Sequence, residues 1–217
     1  IARQLKLLGF HLNFGPNADF DAFTGNYLRY FGNDKPRVAG RLVQFIKAMK
    51  AEGIHSVAKH LPRVMPDDTP VNDSTFILGL LQSDTARSDT FKLLIENGID
   101  GVLTSDLHFA IQTETGIVSA ATSQVFISEI LRKKINFGGL VFTDAKKFQK
   151  KAGRVRSGEA ELLAFETGND VLIGPVNINA AIRKISKRIK KNKLLEQQLT
   201  TTVKKILAAK FDAGLHH

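Results

Sequence analysis

The segment Gly139-Leu140-Val141-Phe142-Thr143-Asp144 is an apolar, partly β-branched run that ends abruptly in a carboxylate. In parallel α/β folds the chemistry lies just past the C-terminal ends of the strands, so a carboxylate delivered there is placed to act as nucleophile or base. Four other short apolar runs end in a similar way. His11 to Phe14 leads to Asn17, Asp19 and Asp21, and Ser56 to His60 ends in Lys59 and His60. Gly101 to Thr104 leads to Ser105, Asp106 and His108, and Asp170 to Ile173 leads to Pro175 and Asn177. Carboxylates, cations and amides gathered at one end of five strands suit a carbohydrate or another polyol. They hydrogen-bond hydroxyl groups, and Asp144 can attack or stabilise a cationic centre. Taken singly, each of these residues reads more readily as a polar loop residue or a helix cap. Their convergence is what suggests a site.

Helices must sit between these strands to hold them parallel. Pro36 opens one in which Val38, Leu42, Phe45, Ile46 and Met49 form a single apolar stripe, and Gly53 stops it. Ser88 to Asn97 is a second helix, closed by Gly98. Ser123 is a suitable N-cap for a third that runs to about Lys134. Glu159 to Thr167 is a fourth, and two more occupy 177–192 and 195–212. Strands alternating with amphipathic helices specify a parallel sheet covered by helices. Five strands fit either an open doubly wound sheet or the last five units of an eight-stranded barrel, which typically takes about 250 residues.

Composition narrows the function. The chain has 217 residues, of which 43% are hydrophobic and 24% charged, enough to bury a core. It has no apolar run of the roughly 20 residues needed to cross a bilayer. Without cysteine, disulfides and thiolate metal sites are excluded. No Gly-x-Gly-x-x-Gly follows a strand and no phosphate-binding Gly-Lys-Thr/Ser occurs, so nucleotide binding is not favoured. The expectation is a site with no cofactor and no metal. The net charge of +10 is concentrated between Arg183 and Lys193, where seven basic residues occur with no acid. Ile182, Ile185 and Ile189 recur among them at helical spacing. A solvated outer helix face explains this segment, and contact with an anionic surface is the alternative; no zinc-finger or aromatic-rich RNA-binding pattern supports a dedicated nucleic-acid module.

The ordered motifs resemble those of glycoside hydrolase family 3 catalytic domains. They are Leu12-Asn13-Phe14-Gly15-Pro16-Asn17-Ala18-Asp19, Arg29-Tyr30-Phe31-Gly32-Asn33-Asp34, Val57-Ala58-Lys59-His60-Leu61-Pro62, Phe137 to Ala145, Ala164 to Leu172, and Lys204 to Lys210. The likeness runs from the first helix to the last and is nearest to the bacterial β-N-acetylglucosaminidase branch, some members of which are fused to another protein module. It implies a (β/α)₈, TIM-barrel-like domain covering residues 1–217, with 177–212 as its closing basic helices. It also implies that the first strands of the barrel precede Ile1. Activity would be retaining hydrolysis, in which a carboxylate attacks the anomeric carbon and water later releases the sugar. The matching nucleophile is Asp144, and Asp19, Arg29, Lys59 and His60 match positions that hold the sugar. The expected partner is an N-acetylglucosamine-type glycoside of the cell wall, and the expected location is the bacterial cell envelope rather than the cytoplasm.

One departure bears on activity. In the glucosaminidase branch, the loop after the Lys-His motif is glycine-rich and carries a histidine, paired with an aspartate, as mobile general acid/base. Here it reads Arg63-Val64-Met65-Pro66-Asp67-Asp68-Thr69-Pro70-Val71-Asn72-Asp73-Ser74-Thr75, and no histidine lies between His60 and His108. Asp68 is the candidate substitute acid. General acid help typically contributes 10²–10⁴-fold, so its loss predicts slow turnover of unactivated glycosides. A further departure is Lys146 and Lys147, which stand just after the nucleophile where small or apolar residues are usual. The alternative is a non-catalytic sugar-binding or protein-assembly module on a degenerate barrel. A lyase or aldolase using Lys59 as a Schiff base is a third possibility. Borohydride reduction in the presence of carbonyl substrates separates it, since the glycosidase reading expects no trapped adduct at Lys59.

Overall fold

The computed structural model describes residues 1–18, 31–32, 34–61, 86–104, 110–113, 116–145 and 157–215. In chain order their elements are α1 (Ala2–Leu7), β1 (Leu12–Asn13), α2 (Lys35–Ala51), β2 (His55–Leu61), α3 (Ala86–Glu96) and β3 (Gly101–Thr104). These are followed by an antiparallel pair, β4 (Ala110–Thr113) and β5 (Gly116–Ser119), and by α4 (Val125–Lys134) and β6 (Leu140–Asp144). The last are α5 (Glu159–Glu166), β7 (Val171–Ile173), α6 (Ile178–Ile189) and α7 (Lys193–Asp212).

The main sheet is all parallel, in the order β1-β2-β3-β6-β7. A doubly wound sheet reverses its strand order at a switch point; this one never does. Sequential order in one direction is the winding of a barrel, and the sheet is a curled half-barrel. Of the two architectures open to the sequence, the structure therefore takes the barrel-like one.

The two-residue period of the strands sorts the core into two layers. Ala58, Leu61, Val102 and Val141 face the covering helices. There they join Val38, Leu42 and Ile46 of α2, Phe91 and Leu94 of α3, and Phe126, Ile127, Ile130 and Leu131 of α4. Val57, Leu103, Leu140, Phe142, Val171 and Ile173 form the other, concave layer, joined by Leu12 and by Ile206 and Ala209 of α7. Gly101 belongs to the concave layer. A Cβ on it would stand 2.9 Å from the Phe142 ring and 3.0 Å from the Leu140 carbonyl, so glycine lets those strands close.

Capping follows the sequence closely. Asp34 accepts the Arg37 amide ahead of Pro36 in α2, and Ser123 Oγ accepts the Phe126 amide at the start of α4. Asn177 accepts from Ala180 at the start of α6, and Asn192 from Leu194 at the start of α7. Helix α4 is wound as a π-helix, and past its C-terminus the Ile135 amide reaches the Ile130 carbonyl.

At the N-terminal end of the strands, a polar layer fastens α7 under the sheet. Asp170, just before β7, is almost fully buried and pairs with Arg132 of α4 and Lys205 of α7. It also accepts from Thr202 Oγ1 at 2.9 Å and from the Val141 amide at 2.9 Å. Arg132 donates further to the Phe137 and Gly139 carbonyls. Burial pushes the Lys205 ammonium below its ordinary range, a fall that Asp170 opposes. Beside this hub, His55 Nδ1 meets Asp100 at 3.1 Å and its Nε2 donates to the Ala209 carbonyl at 2.7 Å.

Two outcomes follow. Asp170→Ala takes the buried carboxylate from two partly buried cations, and it is expected to cost about 3 kcal/mol in denaturant unfolding. The hydrogen bond to Asp100 raises His55 above its ordinary 6.5, with burial opposing, and the Ala209 carbonyl and the charges of Asp100 and Asp212 supporting. A raised folded-state value stabilises fully below about pH 6.5 and is lost as pH rises through that higher value. Thermal melts should therefore lose stability as pH rises above about 6.5, and His55→Gln should flatten that slope.

Candidate active site

β6 carries a two-residue alternation to its last position. Leu140 and Phe142 lie in the concave layer, and Asp144, two residues on, continues it at the C-terminal edge. Asp144 is half-buried there and pairs across to Ile173 of β7.

β2 brings Lys59 and His60 to the same edge. Its pairing with β3 runs in register from Val57↔Gly101 to Lys59↔Leu103, then shifts so that Leu61 meets Thr104. Ala58 and Leu61 both face the helices, with two residues between them instead of one. The irregularity thus frees Lys59 and His60 from the helix side. The peptide joining them is cis. Lys59 shares a row with Leu103 and Phe142. Asp144 lies two strands away, about 9–10 Å across the sheet, and two residues, about 6–7 Å, further along it.

The segment after β1 is stitched to this corner. Lys59 donates its amide to the Pro16 carbonyl at 3.1 Å, and the Ala18 amide donates to the Lys59 carbonyl at 2.7 Å. Asn17 therefore bridges to Lys59, and buried Ala18 anchors the chain immediately before Asp19. Phe14 packs edge-to-face on Phe142, with ring centroids 5.3 Å apart, and floors the concave face below the site.

Of the residues expected to form the site, Asp144, Lys59 and His60 are brought to one edge of one curled sheet. Asp19, Arg29 and Asp68 lie outside the described residues, as do Asp106 and His108. Asn177, read from sequence as a strand-end polar group, serves as the N-cap of α6. The sequence reading missed the antiparallel β4–β5 pair, which follows β3 in the chain. Two four-residue runs around Glu114-Thr115 were the available signal. Among the described residues no cluster of three or more His, Cys, Asp or Glu could hold a metal, and no helix is long and apolar enough to cross a membrane.

Residues 1–209 match the glycosyl hydrolase family 3 N terminal domain. The chain belongs to this family. It is 23% identical, over its whole length, to a β-N-acetylglucosaminidase/β-glucosidase of Cellulomonas fimi, of which it covers 41%. It is 25% identical over 80% of its length to a β-hexosaminidase of Neisseria meningitidis, covering 48% of that protein. The chain thus spans less than half of these relatives. Among solved structures, the β-N-acetylhexosaminidase of Beutenbergia cavernae superposes with a TM-score of 0.75 at 25% identity, over 96% of this chain and 65% of that one. The family 3 β-N-acetylglucosaminidase of a Paenibacillus species shares the fold with a TM-score of 0.80 at 22% identity, over 100% of this chain and 42% of that one. The chain is thus a family 3 domain that resembles β-N-acetylhexosaminidases.

The family resemblance leads us to expect that Lys59 would hold the sugar and take no part in the bond-breaking step. Lys59→Met should therefore raise KM for a glycoside about tenfold or more, with a smaller change in kcat. A pure fall in kcat would instead give Lys59 a role confined to the transition state.

Proposed function

We propose that this domain is a retaining glycosidase of the β-N-acetylglucosaminidase type, with Asp144 as nucleophile and an impaired proton-transfer step. The supporting observation is the placement of Asp144 at the C-terminal end of β6, on the concave face that continues Leu140 and Phe142 and at the edge that carries Lys59 and His60. The sugar would lie over that edge, held by Lys59 and His60, and by Asp19 and Arg29 where they match the family's motifs. An Asp144 carboxylate oxygen would form a bond to the anomeric carbon as the bond to the leaving oxygen breaks. Water would then cleave the glycosyl ester and regenerate the carboxylate.

Impairment is inferred from sequence. The loop after Leu61 has no histidine, so it offers the leaving oxygen no imidazolium and the attacking water no imidazole base. Asp68 is the nearest substitute in sequence. Substrates of cell-wall type make the cell envelope the proposed place of action. The same absent histidine favours a second reading, a sugar-binding or assembly module without turnover.

Hydrolysis of an aryl N-acetylglucosaminide with a good leaving group separates the two readings. A good leaving group needs no acid, so the protein should release it, and Asp144→Asn should abolish release. Alkyl glycosides should react about 10²–10⁴-fold more slowly than a fully equipped enzyme allows. Azide needs no general base to attack the glycosyl ester, so it should accelerate turnover and yield the glycosyl azide with retained configuration. If the native protein is as inactive as Asp144→Asn on the activated substrate, with or without azide, while N-acetylglucosamine still binds, the module reading replaces the enzymatic one.

A further inference from the structure

The basic segment 183–193 resolves in the structure into two populations. Lys184 and Arg188 turn back onto α5, where they pair with Glu159 and Glu166. This is the buried flank of α6, where Ala180 and Ala181 pack close enough to Gly158 that a Cβ there would lie 2.7 Å from the Ala180 carbonyl carbon. Arg183, Lys187, Lys190, Lys191 and Lys193 are exposed, and among the described residues they have no ion pair. At 100° per residue, Arg183, Lys187 and Lys190 fall in one row along the outward side.

A second row lies beside it. Ile178 and Ile182 are 59% and 58% exposed, Val176 just ahead of the helix is 58% exposed, and Ile185 and Ile189 continue the line half-buried. Small polar Asn179 and Ser186 separate the rows. Bare isoleucine on a solvated helix gains nothing from water. Next to five exposed cations that have no ion pair among the described residues, with Glu196 the one nearby acid past the turn, it matches the requirements of an interfacial helix, with apolar side chains to enter the acyl boundary and long basic side chains to reach anionic headgroups.

We infer that the outward face of α6, with the Lys190–Lys193 turn, docks the domain on an anionic lipid surface. Nucleic acid offers the same charge but no use for the isoleucine row, and residues 176–193 contain no aromatic side chain to stack on a base. This inference is independent of whether Asp144 is active.

Co-sedimentation with vesicles tests it. The protein should bind vesicles of phosphatidylglycerol mixed equally with phosphatidylcholine, fail to bind pure phosphatidylcholine, and be released by high salt. Each basic residue near such a surface contributes about fivefold, so Arg183→Gln/Lys187→Gln/Lys190→Gln should weaken binding by about a hundredfold. These residues are exposed and unpaired, so circular dichroism melts should be unchanged. Ile178→Ser/Ile182→Ser should weaken vesicle binding while leaving binding to heparin, a soluble polyanion, intact. No preference for the anionic vesicles, or binding indifferent to the charge variant, overturns the inference. So does single-stranded RNA that binds as tightly and ignores the isoleucine variant.

Discussion

Everything at the C-terminal edge of the strands depends on how the opposite edge is held. Asp170 collects Arg132 from α4, Lys205 and Thr202 from α7, and the amide of Val141 at the start of β6. One carboxylate thus ties together a strand, the preceding helix and the closing helix. Burying a carboxylate is costly, and the arrangement is stable because Asp170 receives four donors while Arg132 also reaches the Phe137 and Gly139 carbonyls. The N-terminal ends of β6 and β7 are thereby fixed in register. Register then decides which side chains emerge at the far end. A slip of one residue would turn Asp144 from the concave face to the helix side.

Much of this was legible in the sequence because periodic signals are local. The strand ending in Asp144, the apolar stripe of α2, and the Ser123 cap follow from spacing and residue type alone, and the structure bears out each. The order of the strands was not legible, because a doubly wound sheet and half of a barrel share the same local pattern; only the sequential pairing separates them. The hub around Asp170 was also hidden. Its partners lie 38 and 35 residues away in sequence, and no spacing rule links them.

The site itself was half legible. Asp144 and Lys59 announce themselves as polar residues closing apolar runs. The register shift in β2 does not, because it arises from pairing with β3 rather than from any signature in Ala58 to Leu61. In the basic segment, sequence shows seven like charges, and only the packing of α6 on α5 distinguishes the two that are neutralised from those that are not.

The separation between the two ends of β6 has an evolutionary consequence. The Val141 amide that Asp170 grips and the carboxylate of Asp144 are three residues apart, about 10 Å of strand. One end bears the mechanical load and the other presents the carboxylate proposed as nucleophile, with apolar Phe142 and buried Thr143 between them. Changes at the chemical end need not be felt at the load-bearing one. A lineage could therefore trade away a reaction step at the loops, retune it, or recruit the edge for holding a ligand, and still inherit an intact sheet on which to do so.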